Sequence, residues 1–540
     1  MRTRLAIGAS VLSHFHLDAP WIVLTLAIGM GLILAALPLA WASAGLLLVL
    51  LLVALLRRPA WGLYFIVFAV PFGSILEFPL GVLSIGLAEL TLVATAAAWI
   101  GRMLARKEFY LPRAPLVVPL LLFLGAISLS AVGSTSLSYS LKGVLIWLEV
   151  LVVYLLVADQ IRTGEVNQLV LAVFLAGSLQ ALLGIYQFLR GQGPESFLVL
   201  GRFIRAYGSF EQPNPFGGYM GLIIPLATAV ALAPGPTHRG MLFRGVAALA
   251  LGLTGAALIM SWSRGAWMGA AAAIVASLGL GAWALAFDRR WAGLLAGALT
   301  GSLALFWWAS AGEPALGLLI GALAALGGGV LLAAGRGGRR AIILWSFLIV
   351  LAAILSAGGA FDVIPAPLVE RLIDFFPYLQ VGDVRYAVLS DENFAVLERL
   401  ALWQAAWSMW GSSPWLGVGI GNYVPLYPRF KVAGWDDPLG HAHNYYLQVA
   451  AETGLLGTLA YIALWGVIFW QALRLLARGP MAWRAVIAGI LGSLVALSVH
   501  SLVDYLYVHA MNMHIGIYLG LLAVIHSATS NQGARSEAPE

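Results

Sequence analysis

Apolar runs of membrane length recur along almost the whole chain, and no other feature limits the fold so strongly. A spanning helix needs about 20 consecutive, mostly apolar residues, and about sixteen stretches approach or reach that length. They lie near 21–40, 43–56, 61–79, 84–101, 114–133, 142–160, 167–189, 216–234, 243–261, 266–286, 291–309, 315–334, 341–357, 452–473, 485–502 and 511–527. Only 10% of the 540 residues are charged and 61% are hydrophobic, which excludes an ordinary soluble domain, where about a quarter are charged. The expected fold is an all-α polytopic membrane protein of about 12–16 transmembrane helices, with one long, mainly helical outer loop.

Lys and Arg in the connections give an independent reading of sidedness. Arg57 and Arg58, then Arg102, Arg106, Lys107 and Arg113, then Arg162, Arg239 and Arg244, Arg289 and Arg290, Arg336, Arg339 and Arg340, and lastly Arg474, Arg478 and Arg484 fall in every second connection. This alternation predicts that both termini are cytoplasmic, and Arg2 and Arg4 before an uncleaved apolar stretch read as a retained cytoplasmic end. The net charge of +6 comes from basic residues scattered in ones and twos, so it reports topology and predicts no nucleic-acid partner. With no cysteine in the chain, disulfides, thiolate zinc sites and a cysteine nucleophile are excluded.

The outward connections that carry polar residues are 190–215, the turn Ser261-Trp262-Ser263-Arg264-Gly265, the segment 358–450, and the short link around Asp504, Tyr505, Tyr507 and His509. They divide the chain into N-terminal membrane helices (1–190), central helices with outer loops (191–357), the long loop (358–450), C-terminal helices (451–527) and a polar, disordered tail (528–540). Within the long loop, residues 393–410 space large apolar groups at three and four, as an amphipathic helix does on a membrane or over a bundle. Pro414 stops it. Gly417, Gly419 and Gly421 lack the Lys-Ser/Thr of a phosphate loop and the spacing of a dinucleotide fingerprint, and they read as a turn.

Arg264 lies on the outer side against the positive-inside bias, and an arginine near hydrocarbon costs a few kcal/mol unless it snorkels or meets an anion. With Arg205 it offers two planar guanidinium forks suited to a pyrophosphate; a snorkelling or solvated arginine is the alternative at each position. Lys142 falls near the same face and either adds to that patch or, the preferred reading, snorkels at the interface. His441-Ala442-His443-Asn444 joins the longest polar segment to an apolar run. If 443–461 is one helix, His443, Ala450, Gly454, Gly457 and Tyr461 share a face with a close-packing glycine seam; Thr453-Gly454 equally suits a break. Either way His443 is placed at the outer surface, where an imidazole suits a general base near neutral pH. The competing reading is a metal set from His441 and His443, completed by Asp504 or His509. No G-x-S-x-G nucleophile signature occurs.

The run His443-Asn444-x9-Gly454-x2-Gly457-Thr458 resembles the signature of the O-antigen ligase and polymerase superfamily. So do Arg205-Ala206-Tyr207-Gly208-Ser209-Phe210 with Pro213-Asn214-Pro215, Ser263-Arg264-Gly265-Ala266, Arg399-x3-Trp403, Pro414-Trp415-Leu416-Gly417-Val418-Gly419, and Asp504. The resemblance implies a membrane glycosyltransferase of the inner membrane with a periplasmic site. It implies a polyprenyl-diphosphate-linked glycan as donor and lipid A core or another glycan as acceptor, without metal or other cofactor. Arg205 and Arg264 would then hold the diphosphate and His443 would activate the acceptor hydroxyl, with Asn444, Asp504, Arg399 and His441 as further candidate substrate contacts. Alternatives are a polymerase or protein O-oligosaccharyltransferase of the same superfamily, and a transporter of lipid-linked glycan that makes no bond. Against the family's usual helix count, 291–334 reads as an added hairpin.

Overall fold

The computed structural model describes residues 49–284 and 383–536, apart from 51, 200, 234–237, 391 and 392, together with position 29. Among the described residues, eight helices are long and apolar enough to cross a membrane, and two shorter apolar helices accompany them. The fold is therefore an all-α polytopic membrane protein. But for position 29, the runs at 21–40, 291–309, 315–334 and 341–357, and half of 43–56, lie outside the described residues.

The helices are α1 (Ala60–Phe72), α2 (Leu87–Ala105), α3 (Val117–Ser130), α4 (Leu137–Gln160), α5 (Val166–Arg190), α6 (Pro213–Leu232), α7 (His238–Met260) and α8 (Arg264–Ala284), followed by α9 (Phe394–Ser412), α10 (Tyr423–Phe430), α11 (Tyr445–Arg478), α12 (Met481–His500) and α13 (Met511–Ser536). Two small antiparallel hairpins interrupt them. Strands β1 (Glu77–Leu80) and β2 (Leu83–Gly86) pair with Glu77 opposite Gly86, and β3 (Leu198–Val199) pairs with β4 (Phe203–Ile204). The run expected to span 61–79 thus ends as a helix at Phe72, followed by a single 3-10 turn. Glu77 and Pro79 lie beyond that end, in the first strand of the hairpin, where an edge position accommodates a proline. At the other end of the chain α13 continues to Ser536, past the 528 at which a disordered tail was expected; no proline interrupts that stretch.

Helix α6 is buried along nearly its whole length, as a helix apolar on all sides should be. Small residues let its neighbours close on it. A Cβ on Gly489 of α12 would lie 2.6 Å from the Leu226 Cα, and one on Gly492 would lie 2.7 Å from the Pro225 side chain. In a bilayer, where lipid tails compete for apolar contact, this close backbone approach is what favours helix association.

Four links meet at one end of this bundle. The Ala206 N–H donates to the Met260 carbonyl at 2.9 Å, and the Tyr445 N–H donates to the Ser501 carbonyl at 2.9 Å. A Cβ on Gly265 would lie 2.6 Å from the His500 ring and 2.7 Å from Val503. The segments 190–212, 261–263, 383–444 and 501–510, far apart in sequence, are therefore neighbours.

Over that end lies a second small core made of Leu402, Ala405, Ala406, Met409, Val418, Tyr423, Tyr427, Ala442 and Ala451. Helix α9 buries Leu397, Ala401, Leu402, Ala405, Ala406 and Met409, the three-and-four spacing read from its sequence. Its outer face differs from the expected polar one, because Trp407 is 60% exposed and stacks edge-on with Trp410 at 4.9 Å. Indoles are enriched at membrane–water interfaces, which suits a helix that caps the end of a membrane bundle.

The cap is stitched into a break in α11. Gly454 has φ +61° and ψ −162°, so the helix is interrupted there. A break orphans carbonyls on one side and N–H groups on the other, which is costly away from water. The glycine turn supplies both sets of partners: Val418 and Gly419 donate to the carbonyls of Ala451 and Glu452, each at 2.9 Å, while Leu455 and Leu456 donate to the carbonyls of Pro414 and Trp415 at 2.8 and 3.2 Å. The buried Glu452 carboxylate accepts the N–H groups of Gly421 (2.9 Å) and Tyr423 (3.1 Å). Gly417 and Gly421 have φ +71° and +75°, and a Cβ on either would lie 2.3 Å or less from backbone. These glycines form a turn and not a phosphate loop.

Candidate functional site

The break at Gly454 decides what precedes it. The first section of α11 is held at both ends, by the glycine turn at its C-terminal side and by Asn444 at its start. Asn444 is the N-cap, its side-chain oxygen accepting the Leu447 N–H at 3.0 Å. His443 is therefore outside the helix, which corrects the single-helix reading that aligned it with Gly454, Gly457 and Tyr461. Its φ is +48°, a left-handed conformation uncommon for a non-glycine residue. The His441 Nδ1 accepts the His443 N–H at 3.2 Å, and Trp403 Nε1 of α9 donates to the His443 carbonyl at 3.4 Å. Both backbone groups of His443 are held.

This backbone turns the His443 ring towards the 501–510 link. Nδ1 lies 3.0 Å from Asp504 Oδ1, with the imidazole 15% and the carboxylate 5% exposed. Asp504 Oδ1 also accepts the Tyr505 N–H at 2.8 Å, and Oδ2 faces His500 Nε2 at 3.8 Å. Burial opposes charge on Asp504, but the pairing with His443 and the approach of His500 outweigh it and hold the carboxyl well below the usual carboxylate range. An ionised carboxylate only accepts hydrogen bonds, so the proton of neutral His443 resides on Nδ1 and the lone pair on Nε2.

Cationic groups stand beside this pair. Arg264, at the start of α8, and Arg399, on α9, line one cavity of about 60 Å3 together with Trp403 and Val503. Trp403 and Val503 connect it to the histidine, one through its hydrogen bond to His443 and the other as the neighbour of Asp504. Arg205 reaches the same turn from the other side, donating from Nε to the Ser261 carbonyl and from Nη2 to Asn214 Oδ1, both at 2.8 Å. The fold thus gathers Arg264, Arg399, His443 and Asp504 closely, with Arg205 bracing the turn that carries Arg264.

His441 is of a different kind. Its ring stacks on Tyr505 at 5.1 Å, and burial, reinforced by His443 and Arg399 and opposed by Asp504, pushes its pKa down to about 3. It stays neutral at physiological pH and so offers no positive charge to an anionic ligand. His509 packs instead against Phe210 at 6.0 Å. Residue pattern alone did not single out Glu398, whose carboxyl pKa is raised by burial and drawn back by His443 and Arg399. Its one visible signal was its place next to Arg399. His500 is buried with no hydrogen-bond partner for Nε2 and faces Asp504.

His441, His443 and Asp504 each offer a ligand atom, and these atoms lie within 4.8 Å of one another. That is close enough for a divalent cation to be held by two imidazoles and a carboxylate, with His509 not among the ligands. The observed pairing of Nδ1 with Oδ1 instead uses the two atoms on each other.

No curated protein matches the chain. The family model described as O-antigen ligase matches residues 314–462. That span takes in Arg399, Trp403, the glycine turn, His441 to Asn444 and the Gly454 break, the parts that build and hold the histidine, and over it the chain is similar to the O-antigen ligase family.

Proposed function

We propose that this protein is a glycosyltransferase that moves a glycan from a polyprenyl-diphosphate donor to a sugar hydroxyl, as an O-antigen ligase acting on lipid A core. The observation that carries this reading is the His443–Asp504 pair, with Nδ1 engaged at 3.0 Å, set beside a cavity lined by Arg264 and Arg399. His443 Nε2 takes the proton of the acceptor hydroxyl as its oxygen attacks the anomeric carbon. The new C–O bond forms as the bond to the diphosphate oxygen breaks, and the electron pair leaves on the diphosphate. Negative charge grows on that oxygen, where fixed guanidinium groups stabilise it most. Attack opposite the leaving group inverts the anomeric centre. No nucleotide sugar enters this scheme. The alternation of basic connections supports a site on the outer face of the inner membrane.

Purified protein, synthetic polyprenyl-diphosphate glycan and a core-sugar acceptor test the proposal. Arg264→Ala is expected to lower kcat/KM for the donor by about a hundredfold, because a charge-assisted bond to a phosphoryl group is lost in a poorly hydrated site. Unchanged donor kinetics would remove Arg264 from the diphosphate site. Asp504→Asn is expected to lower kcat by about a hundredfold or more while leaving donor KM unchanged, since an amide in place of the carboxylate no longer fixes the tautomer. A parallel rise in donor KM would show that Asp504 serves binding and not the orientation of His443.

A further inference from the structure

A second cationic cavity lies at the opposite end of the bundle. Helix α4 fixes the distance: near its start the Asn422 amide donates to Ser140 at 2.8 Å, while Asp159 and Gln160 lie at its end, about 30 Å away along the helix axis. Around Asp159 is a cavity of about 410 Å3 lined by Arg57, Arg58, Arg102, Arg106 and Arg162. These arginines come from three separate places, the turn before α1, the C-terminal end of α2 and the link after α4. Membrane sidedness accounts for basic residues at this end, but not for their convergence on one void.

The lining carboxylates are Glu108 and Asp159. Asp159 accepts hydrogen bonds from Trp99 Nε1 (2.8 Å), Tyr110 Oη (2.8 Å) and Gln160 Nε2 (2.6 Å), so neutral donors hold its oxygens. Arg58 pairs with Glu165 behind the wall, and Arg102 donates to the Arg57 carbonyl at 2.7 Å, which ties two of the segments together. Positive charge is in excess, and it is built from guanidinium forks that match phosphoryl oxygens. Buried Trp99 and Met103, both on a helix apolar enough to span a membrane, add apolar lining.

We infer that this cavity binds the phosphodiester headgroup of an anionic phospholipid. Phosphate chemistry follows from the arginines. A lipid source follows from the setting, a cavity at the end of spanning helices, with apolar wall residues continuous with those helices and more room than an inorganic phosphate needs. The inference does not rest on the proposed transfer reaction, since none of these residues belongs to the His443 site.

Lipid titration of the full-length protein in detergent, read by native mass spectrometry, tests it with phosphatidylglycerol and phosphatidylcholine as probes. Phosphatidylglycerol is expected to bind tighter by about tenfold or more, and Arg106→Gln with Arg162→Gln to weaken it about tenfold or more with little change for phosphatidylcholine. Arg106 and Arg162 are exposed, which favours an intact fold; if the pair nonetheless lowers the Tm, the Arg106→Gln single variant gives the same comparison. Equal binding of the two lipids, or unchanged phosphatidylglycerol binding in the variants, would overturn the inference. Inorganic pyrophosphate is the soluble probe: if it binds and phosphatidylglycerol does not, the site takes free phosphates and the lipid assignment is wrong.

Discussion

Replacing His443 with Ala is expected to lower glycan transfer by about a thousandfold or more while leaving donor binding close to wild type. The imidazole is the group whose Nε2 lone pair is directed by Asp504, and proton transfer by a positioned base typically contributes about two to four orders of magnitude. Donor affinity should survive because the cavity is lined by Arg264 on α8 and Arg399 on α9, and His443 is not among its lining residues. Single-turnover transfer with bound donor, measured beside equilibrium donor binding, separates the two quantities. Full transfer activity in the variant would refute the base assignment. A protein that binds donor and carries it across a bilayer, without making a glycosidic bond in either form, would establish the transporter reading instead.

Gly454→Ala is expected to destabilise the fold by roughly 3 kcal/mol or more, through two costs with separate causes. The conformation at φ +61° and ψ −162° lies in a region essentially reserved for glycine. In addition, a Cβ would stand 2.4 Å from the Trp415 carbonyl carbon and 2.6 Å from the Gly417 nitrogen, so backbone and not a flexible side chain would have to move. The turn that would move is the one whose N–H and carbonyl groups satisfy the broken helix. Loss of activity should therefore accompany a lower Tm and easier proteolysis between 412 and 422. An unchanged Tm in Gly454→Ala would mean that α11 tolerates a continuous helix and that the break is not what holds the cap.

Much of the scaffold was legible because bilayer physics writes it plainly. Apolar runs with few charges gave the described spans, with shifts at their ends, because a spanning segment must satisfy its own backbone. The same rule failed at 73–79, where the run is apolar by composition but leaves the helix and enters a hairpin that turns at Gly81. The three-and-four spacing of α9 showed its buried face. It did not show that Trp407 would be exposed, since a membrane interface accepts an indole that water alone would disfavour.

Residue types and sidedness brought His443, Arg205, Arg264 and Asp504 forward from the sequence, and Arg399 came forward only through the resemblance to the O-antigen ligase and polymerase superfamily. Periodicity could not settle whether 443–461 is one helix. A 3.6-residue pattern is blind to a single residue with positive φ, and Gly454 is that residue. The partners of His443 were equally hidden, because Trp403 and Asp504 lie 40 and 61 residues away and meet it only through packing. Composition thus determined that this chain lives in a bilayer and which side chains have chemistry to offer. Tertiary structure alone decided that the glycine turn completes the broken helix, that the histidine leaves the helix in a left-handed turn, and that its Nδ1 meets Asp504. Those outcomes depend on unsatisfied backbone groups finding donors and acceptors across long chain separations, which no local pattern encodes.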